Sequence, residues 1–319
     1  MFSVKDLARS EEIYTAVLGF QVRGRGEGPS STLERLWSLP PGTSMKWVLL
    51  AKAEVPESTQ IRLVEFTPQS SRARYEYRWQ DAGLNDLHFC VADIQAAYKN
   101  LKDRGFTAFH EPMLWGGGGG ELGIGYRRVH ECFMHGLDGE GITIKESGPV
   151  SASLKHPTTL CSASPEAPFS PVQDIVITTS SQEKSYEFYH GILGWKDIGR
   201  WEAFGPEMET MLRAPRGIVA RPIFLDHPKG PVVTGIIAVE TAGVEKTNLY
   251  ARNAPPHRGF IVVTFKTDNL DELYRRMVAA HATIVLPPVE VAEKPYGTRA
   301  FSVRGPDGEF LEFVERNQQ

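Results

Sequence analysis

Two glutamates in apolar, strand-like segments are the first residues of this sequence that could do chemistry. Glu65 lies in IRLVEF, and Glu240 lies 175 positions later at the same place in IIAVET. Acidic side chains are seldom buried without a partner, and a carboxylate can bind a hard cation or transfer a proton. A glutamate that recurs among apolar neighbours is therefore a candidate functional residue.

Histidines and cysteines, the usual ligands of zinc, show no clustering typical of a metal site. His130 and His135 are five residues apart, which puts them on opposite faces of a strand, so at most one could reach a shared cavity. Cys90, Cys132 and Cys161 lack the CxxC spacing. Three such cysteines argue against a disulfide framework and against a thiolate zinc site.

The two glutamates belong to a repeat that organises almost the whole chain. SEEIYTAVLGF and SYEFYHGILGW share the same 175-residue offset. FCVADIQAAYKNLKDRGF and FKTDNLDELYRRMVAAHA each predict a strand, an Asp or Asn helix cap and an amphipathic helix. A D-G turn between strand-like runs follows each of them. The pattern predicts four units of strand, helix and about three strands, at roughly 1–70, 84–147, 172–245 and 258–316.

The length of 319 residues favours two domains rather than one. The stretch before the third unit is rich in Ser, Pro and Ala and predicts a linker. We therefore predict an N-terminal domain at 1–147, a linker at 148–171 and a C-terminal domain at 172–319. The segment WGGGGGELGIG at 115–125 lacks the pattern of a phosphate loop and predicts a mobile loop between strands.

The composition excludes several classes of partner. The formal net charge is −4 and the isoelectric point is near 6.2, so we expect no nucleic acid partner. No apolar run approaches the ~20 residues that span a bilayer, and the first residues do not look like a secretory signal. We expect a reduced, cytoplasmic protein that acts on a small-molecule substrate.

The motif D-x-x-x-S-x-x-x-Y-x-x-x-L-G-F/W and the closing D-G-x-x-x-E-F resemble those of the vicinal oxygen chelate superfamily. This superfamily includes glyoxalase I, extradiol dioxygenases, fosfomycin and bleomycin resistance proteins, and several epimerases. The resemblance implies an α+β fold of tandem βαβββ modules, with two glyoxalase-like domains that each form a curved mixed sheet around a cavity. It also implies that two modules each give one side chain from the first strand and one from the last to a divalent metal.

In the C-terminal domain, the resemblance implies Asp174, Glu240 and Glu312 as metal ligands, with the apolar Val262 at the fourth position. Three carboxylates that face one cavity would repel one another unless a cation compensated them. The expected cofactor is a divalent metal ion, for which Mg²⁺ or Mn²⁺ suits carboxylates better than Zn²⁺ or Ni²⁺.

In the N-terminal domain, the resemblance implies a second and weaker metal site. Glu65 and Asp86 hold two of its positions, and Thr143 replaces the final glutamate. His88 lies two residues beyond Asp86, so it points to the same face of the strand and could substitute as a ligand. No residue of the sequence precedes Met1 to fill the first position.

The function that these sites imply is a metal-dependent lyase or isomerase, such as an epimerase. The metal would stabilise the enediolate formed when a carboxylate removes a carbon-bound proton from a small hydroxy-keto substrate. Glu240 and Glu312 are the expected catalytic residues. Arg299 in YGTRAFSV and Tyr126 after the glycine-rich segment are the expected substrate-binding residues.

Two other functions are compatible with the same resemblance. A metal-free ligand-binding or antibiotic-resistance protein could lose metal ligands freely, as Val262 and Thr143 suggest. An extradiol dioxygenase is disfavoured because its iron site needs two histidines and one carboxylate. Since four units supply two cups within one chain, we expect a monomer or a homodimer.

Overall fold

The computed structural model describes the chain over residues 1–53, 58–74, 76–115, 129–146, 163–228, 234–292 and 298–316. The fold is α+β, with strands far outnumbering helices in these ranges. The repeated units of the sequence form four modules, and a helix follows the first strand of modules 1 to 3 and the second strand of module 4. None of the helices in the described ranges is long and apolar enough to cross a membrane.

Modules 1 and 2 come from the N-terminal half of the chain. Module 1 contains β1 (Phe2–Ser3), α1 (Leu7–Glu12), β2 (Gln21–Pro29), α2 (Ser31–Leu36), β3 (Ser44–Ala51) and β4 (Ile61–Thr67). Module 2 contains β5 (Gly83–Val91), α3 (Ile94–Asp103), β6 (Thr107–Ala108), β7 (Met113–Trp115), β8 (Val129–His135) and β9 (Gly141–Glu146).

Modules 3 and 4 come from the C-terminal half. Module 3 contains β10 (Phe169–Thr179), α4 (Gln182–Tyr186), β11 (Lys196–Arg200), β12 (Ala203–Phe204), α5 (Pro206–Met211), β13 (Val219–Asp226) and β14 (Gly235–Ala242). Module 4 contains β15 (Gly259–Phe260), β16 (Val263–Thr267), α6 (Leu270–Ala279), β17 (Thr283–Glu290), β18 (Arg299–Arg304) and β19 (Phe310–Glu315). One π-helical turn extends each of α1 and α4.

The predicted helix caps are confirmed in modules 2 and 4. The carboxylate of Asp93 accepts a hydrogen bond of 2.9 Å from the backbone N–H of Ala96. The side chain of Asn269 accepts one of 3.0 Å from the N–H of Glu272. Each cap satisfies an N–H group that has no partner within its helix. The apolar residues that follow at helical spacing pack into the core.

The sheets join the modules in pairs that differ from the pairs we expected. β5 of module 2 and β10 of module 3 are antiparallel neighbours, so modules 2 and 3 share one ten-stranded sheet. β1 of module 1 pairs with β15 of module 4. Our expectation that modules 3 and 4 would form one cup was therefore wrong. Any first strand can pair with another first strand, so the repeat alone does not specify the partners.

We call the cup of modules 1 and 4 the outer cup and the cup of modules 2 and 3 the inner cup, after their order in the chain. Each cup contains its own cluster of buried apolar residues. Leu36 and Trp37 at the end of α2 fill the outer cup, and Met208 and Met211 of α5 fill the inner cup. A third, larger cluster packs the other helices against the sheets.

Two sequence predictions concern segments outside the described residues. The domain limits at 1–147, 148–171 and 172–319 stay a prediction, since 147–162 are not described. The glycine-rich segment falls mostly within 116–128, which is also outside the described part of the chain.

The cysteines differ from the fully reduced set that we expected. Cys90 forms a disulfide bond. Cys132 is a buried free thiol on β8. The prediction of a protein without disulfide bonds was therefore wrong, because the sparse, irregular spacing of the cysteines gave no sign of a pair.

Candidate ligand-binding site

The strand register identifies the side chains that face each cup. In module 4, Thr264 lies five residues before the helix cap and is paired with Glu312 on the last strand. The equivalent pair in module 3 is Val176 and Ile237. Glu240 lies three residues further along that last strand. The position that we assigned to Glu240 is therefore occupied by Ile237.

The repeated glutamates instead bind the N-termini of two helices. The Oε2 atom of Glu65 accepts a hydrogen bond of 2.9 Å from the backbone N–H of Leu7, the first residue of α1. The Oε2 atom of Glu240 accepts one of 2.8 Å from the N–H of Gln182, the first residue of α4. These N–H groups lack partners within the helix and carry partial positive charge. The recurrence of the glutamate thus has a structural cause.

Glu312 is fully buried in the outer cup. Its Oε1 atom accepts a hydrogen bond from the indole of Trp37, and its Oε2 atom accepts one from the hydroxyl of Thr264, both at 2.7 Å. The guanidinium of Arg62 lies 3.8 Å from Oε2. Burial raises the pKa of Glu312, although Arg62 and the two hydrogen bonds act in the opposite direction. Both oxygens have protein donors, so this site does not fit a divalent metal.

Asp174 lies in the inner cup together with two residues of the weaker predicted site. Atom Oδ2 of Asp174 is 3.7 Å from Nδ1 of His88, and Oδ1 of Asp86 is 3.1 Å from Nε2 of the same ring. All three side chains are buried. The structure thus brings together residues that we had assigned to two sites, and it separates Asp174 from Glu240 and Glu312.

Three further side chains complete this polar cluster. The ammonium of Lys145 lies 3.3 Å from Oδ2 of Asp174. The hydroxyl of Thr143 donates to Oδ2 of Asp86 at 3.1 Å, and the indole N–H of Trp79 donates to the same oxygen at 3.3 Å. Each aspartate therefore has polar partners besides the imidazole.

Each buried aspartate of the cluster, Asp174 and Asp86, is paired with a glycine on an adjacent strand. Gly235 is paired with Asp174, and a Cβ atom at this glycine would lie 2.8 Å from Oδ1 of the carboxylate. Gly141 is paired with Asp86 in module 2, where a Cβ atom would lie 2.5 Å from the Cβ of Asp86. In both modules, the buried aspartate is therefore paired with a glycine whose missing side chain makes space for it.

His88 is the titratable group at the centre of the cluster. Burial and Lys145 lower its pKa, but Asp86 and Asp174 raise the pKa more, so the net value lies above that of an ordinary histidine. Within the described ranges, neither nitrogen of His88 has a partner with hydrogen-bond geometry, and the same holds for Oδ1 of Asp86. These buried polar atoms are therefore available to form hydrogen bonds with a ligand.

The inner cup offers too few ligands for the divalent metal that the resemblance implies. Asp86 and Asp174 contact different nitrogens of the His88 ring, so an ion on one nitrogen would be near only one carboxylate. Lys145 also places a positive charge beside Asp174. In the part of the chain that the structure describes, no three His, Cys, Asp or Glu side chains are arranged to hold a metal ion. The donor set does not fit the metal.

Aromatic side chains line the inner cup, and Phe133 packs directly against the charged cluster. The ring of Phe133 packs edge-on against His88, with 6.3 Å between ring centroids, and against Trp79, with 6.0 Å. Trp201 and Phe224 stack at 4.0 Å and are partly exposed. A cup with flat apolar walls and a few polar groups is typical of sites for small organic molecules.

The two predicted substrate-binding residues do not join this cluster in the described structure. Arg299 forms a two-pronged hydrogen bond with Asp271 of α6, at 3.0 and 2.7 Å. This contact raises the pKa of Arg299 and holds its guanidinium against the helix rather than in a cup. The substrate-binding role of Arg299 stays a prediction, and Tyr126 lies outside the described residues.

Sequence reasoning missed Lys145, Trp79 and Arg62. Lys145 lies two residues beyond Thr143, so strand alternation could have placed it on the cup face. Arg62 lies three residues before Glu65, and the correct strand register would have identified it. Trp79 precedes β5 in a loop and carries no periodic signal.

A family model described as "Glyoxalase/Bleomycin resistance protein/Dioxygenase superfamily" matches residues 1–121 and 172–313. The match covers most of the chain and includes strands from all four modules. The chain belongs to this superfamily.

Solved structures show the same architecture over nearly the full length. A glyoxalase I mutant from Zea mays has a TM-score of 0.63 at 15% identity, covering 98% of this chain and 91% of its own. A putative dioxygenase from Bacillus subtilis has a TM-score of 0.57 at 12% identity, covering 99% and 84%. At these identities the likeness shows the fold.

Among curated proteins, the uncharacterized protein YurT of Bacillus subtilis (strain 168) is 28% identical over 113 residues. The matched stretch covers 35% of this chain and 77% of YurT. This relative is therefore similar to only about a third of the present sequence.

Proposed function

We propose that the inner cup binds a small organic molecule without the help of a metal ion. The observation that carries this proposal is the buried cluster of Asp86, His88 and Asp174. Its carboxylates have cationic protein partners, and some of its polar atoms still lack hydrogen bonds in the described structure. The cluster is therefore better suited to a ligand that forms hydrogen bonds than to a cation.

The carboxylates of the cluster have basic protein partners. The carboxylates of Asp86 and Asp174 face the ammonium of Lys145 and the imidazole of His88, whose pKa is raised by the two aspartates. Buried charges are tolerated when each has a close partner of opposite sign. Asp174 is separated from Glu240 and Glu312, and the protein itself supplies a positive charge beside it through Lys145.

The cluster and its walls define the chemistry of the ligand. An N–H of His88 donates a hydrogen bond and the carboxylate of Asp86 accepts one, so a hydroxyl or amide group can satisfy both. Trp201 and Phe224 offer flat apolar surface in the same cup. We propose a ligand with an aromatic or similarly flat body that carries a hydroxyl or amide group.

A metal-dependent lyase or isomerase is the competing function, and metal content separates the two. Protein purified without chelator should contain far less than one divalent ion per chain by plasma mass spectrometry. A near-stoichiometric ion that is lost in an Asp86→Asn variant would overturn the proposal and support the metal-dependent reaction.

Ligand binding can be measured with 2-naphthol and naphthalene as probes, by quenching of tryptophan fluorescence in the presence of a chelator. We expect 2-naphthol to bind more tightly than naphthalene because only 2-naphthol can bridge Asp86 and His88. Asp86→Asn should weaken 2-naphthol binding by about tenfold, the loss typical of a charge-assisted hydrogen bond. Glu240→Gln, a matched change outside the cup, should leave binding unchanged. Equal binding of the two probes would contradict the proposed ligand chemistry.

A further inference from the structure

Lys145 occupies a position of the module at which the other three modules carry a valine. It pairs with Cys90, which lies three residues before the helix cap Asp93. Counted from the helix caps in the same way, the equivalent residues of modules 1, 3 and 4 are Val64, Val239 and Val314. All three valines are buried among the apolar residues of a cup. The fold therefore accepts an aliphatic side chain at this position and does not require a lysine.

The side chain of Lys145 points into the inner cup and ends beside its polar cluster. Thr143 lies two residues earlier on the same face of β9 and contacts Asp86. The ammonium of Lys145 lies 3.3 Å from Oδ2 of Asp174, and that oxygen is 3.7 Å from Nδ1 of His88. The Lys145 side chain is only 13% exposed. A primary amine thus stands inside the proposed ligand site, next to a carboxylate that can accept its proton.

We propose that Lys145 forms an imine with an aldehyde or ketone group of the ligand. This inference rests on the proposed function, because the ligand must first bind in the inner cup. A lysine becomes a nucleophile when it is withdrawn from water and loses its proton to a neighbouring group. The burial of Lys145 and its contact with Asp174 meet both conditions.

The step balances without a further reactant. The ammonium of Lys145 gives one proton to Asp174, and its nitrogen adds to the carbonyl carbon as the C=O π bond breaks. Burial opposes the charged forms of both partners, which favours this transfer. A second proton moves from the nitrogen to the carbonyl oxygen, and Asp174 then returns its proton to that oxygen. The oxygen leaves as water while the C=N bond forms, and the cationic imine keeps the charge of the lysine.

The position of Asp174 between the amine and the imidazole narrows the class of ligand. Because one carboxylate oxygen is near both Lys145 and His88, the carbonyl and the hydroxyl of the ligand must lie close together. An aromatic ring that carries an aldehyde and a hydroxyl on neighbouring carbons meets this condition. The probe 2-hydroxy-1-naphthaldehyde has this arrangement and differs from 2-naphthol only by the aldehyde group.

The test treats the full-length protein with one equivalent of this aldehyde and with sodium cyanoborohydride, which reduces an imine to a stable secondary amine. The chain should gain the mass of the aldehyde less one oxygen atom. Peptide mapping by mass spectrometry should find at least about tenfold more adduct on Lys145 than on any other lysine, since the bound aldehyde is held at this amine. An excess of 2-naphthol should suppress the adduct on Lys145 and leave the background on exposed lysines unchanged.

Variants separate the imine from a simple ion pair. Lys145→Arg keeps a positive charge beside Asp174 but cannot form an imine, so the adduct in the cup should disappear. Lys99→Arg, a matched change of an exposed lysine that is also paired with an aspartate, should leave the adduct on Lys145 unchanged. Circular dichroism confirms that both variants are folded, and the peptide map of the wild type locates the adduct independently of them.

The outcomes distinguish this inference from the proposed function. An adduct spread evenly over exposed lysines, or an equal yield from Lys145→Arg, would overturn the imine. Quenching of tryptophan fluorescence by the aldehyde without any trapped adduct would also overturn the imine and leave the proposed function standing. If neither 2-naphthol nor the aldehyde binds, both proposals are overturned.

Discussion

At the scale of single residues, buried carboxyl groups determine much of the expected response to pH. Glu140 and Glu309 close the D-G turns of modules 2 and 4, where they accept the backbone N–H groups of Asp138 and Asp307 at 2.9 Å. Burial is the main reason that the pKa of each glutamate is raised to about 7. The folded chain therefore keeps protons that the unfolded chain has already lost.

This difference in proton binding fixes the sign of the pH effect. Between the ordinary glutamate pKa of 4.5 and about 7, the folded state binds more protons than the unfolded state. The free energy of unfolding contributed by these two groups therefore falls as pH rises through that range and is constant above it.

A Glu140→Gln variant should lose its share of this pH dependence. The unfolding free energy of the wild type, relative to the variant, should fall by an amount on the order of 1–3 kcal/mol between about pH 5 and pH 8. Urea unfolding followed by circular dichroism measures the difference. Glu76→Gln, at an exposed position, serves as the control. Parallel pH curves for the wild type and Glu140→Gln would contradict the expectation.

At the scale of elements, the modules, the helix caps and the D-G turns could be predicted because they follow from neighbouring residues. The role of Glu65 and Glu240 could not, since each accepts from a helix that is 58 residues away in the chain. A repeated acidic residue shows only that two positions in the modules are structurally equivalent. The strand register decides whether the side chain faces a cup or a helix end.

Replacement of Glu240 tests its helix-binding role. Glu240→Ala should lower the free energy of unfolding by about 1 kcal/mol because the first N–H of α4 loses its acceptor. Glu240→Gln keeps an acceptor oxygen and should cost less. Urea denaturation compares both with Glu187→Ala, an exposed change near the same helix. A loss of stability no larger than that of the control would show that the contact contributes little.

At the scale of the whole molecule, the pairing of modules explains why the candidate site was only partly predicted. Asp86 and His88 come from the N-terminal half, whereas Asp174 comes from the C-terminal half and meets them through the pairing of β5 with β10. The individual residues could be found in the sequence. Their meeting depends on which edges pair, and the local pattern does not encode that choice.

Two separately expressed pieces, 1–147 and 172–319, should associate because each alone exposes the long strand, β5 or β10, that pairs with the other. We expect a one-to-one complex on size-exclusion chromatography with light scattering. Ile177→Pro in the second piece removes a backbone N–H from β10 and should weaken the complex. Pieces that elute as independent monomers would show that the shared sheet is not enough to hold them.

The unbroken sheet across modules 2 and 3 also limits how such a duplicated chain can diverge over generations. Each cup is built from both halves of the chain. Exchanging one half for that of a relative would therefore replace one wall of both cups at once. When a substitution in the first half changes the shape of a cup, we expect the compensating change on the opposite wall to lie in the second half. We expect substitutions in the two halves to be correlated, because selection acts on both halves together.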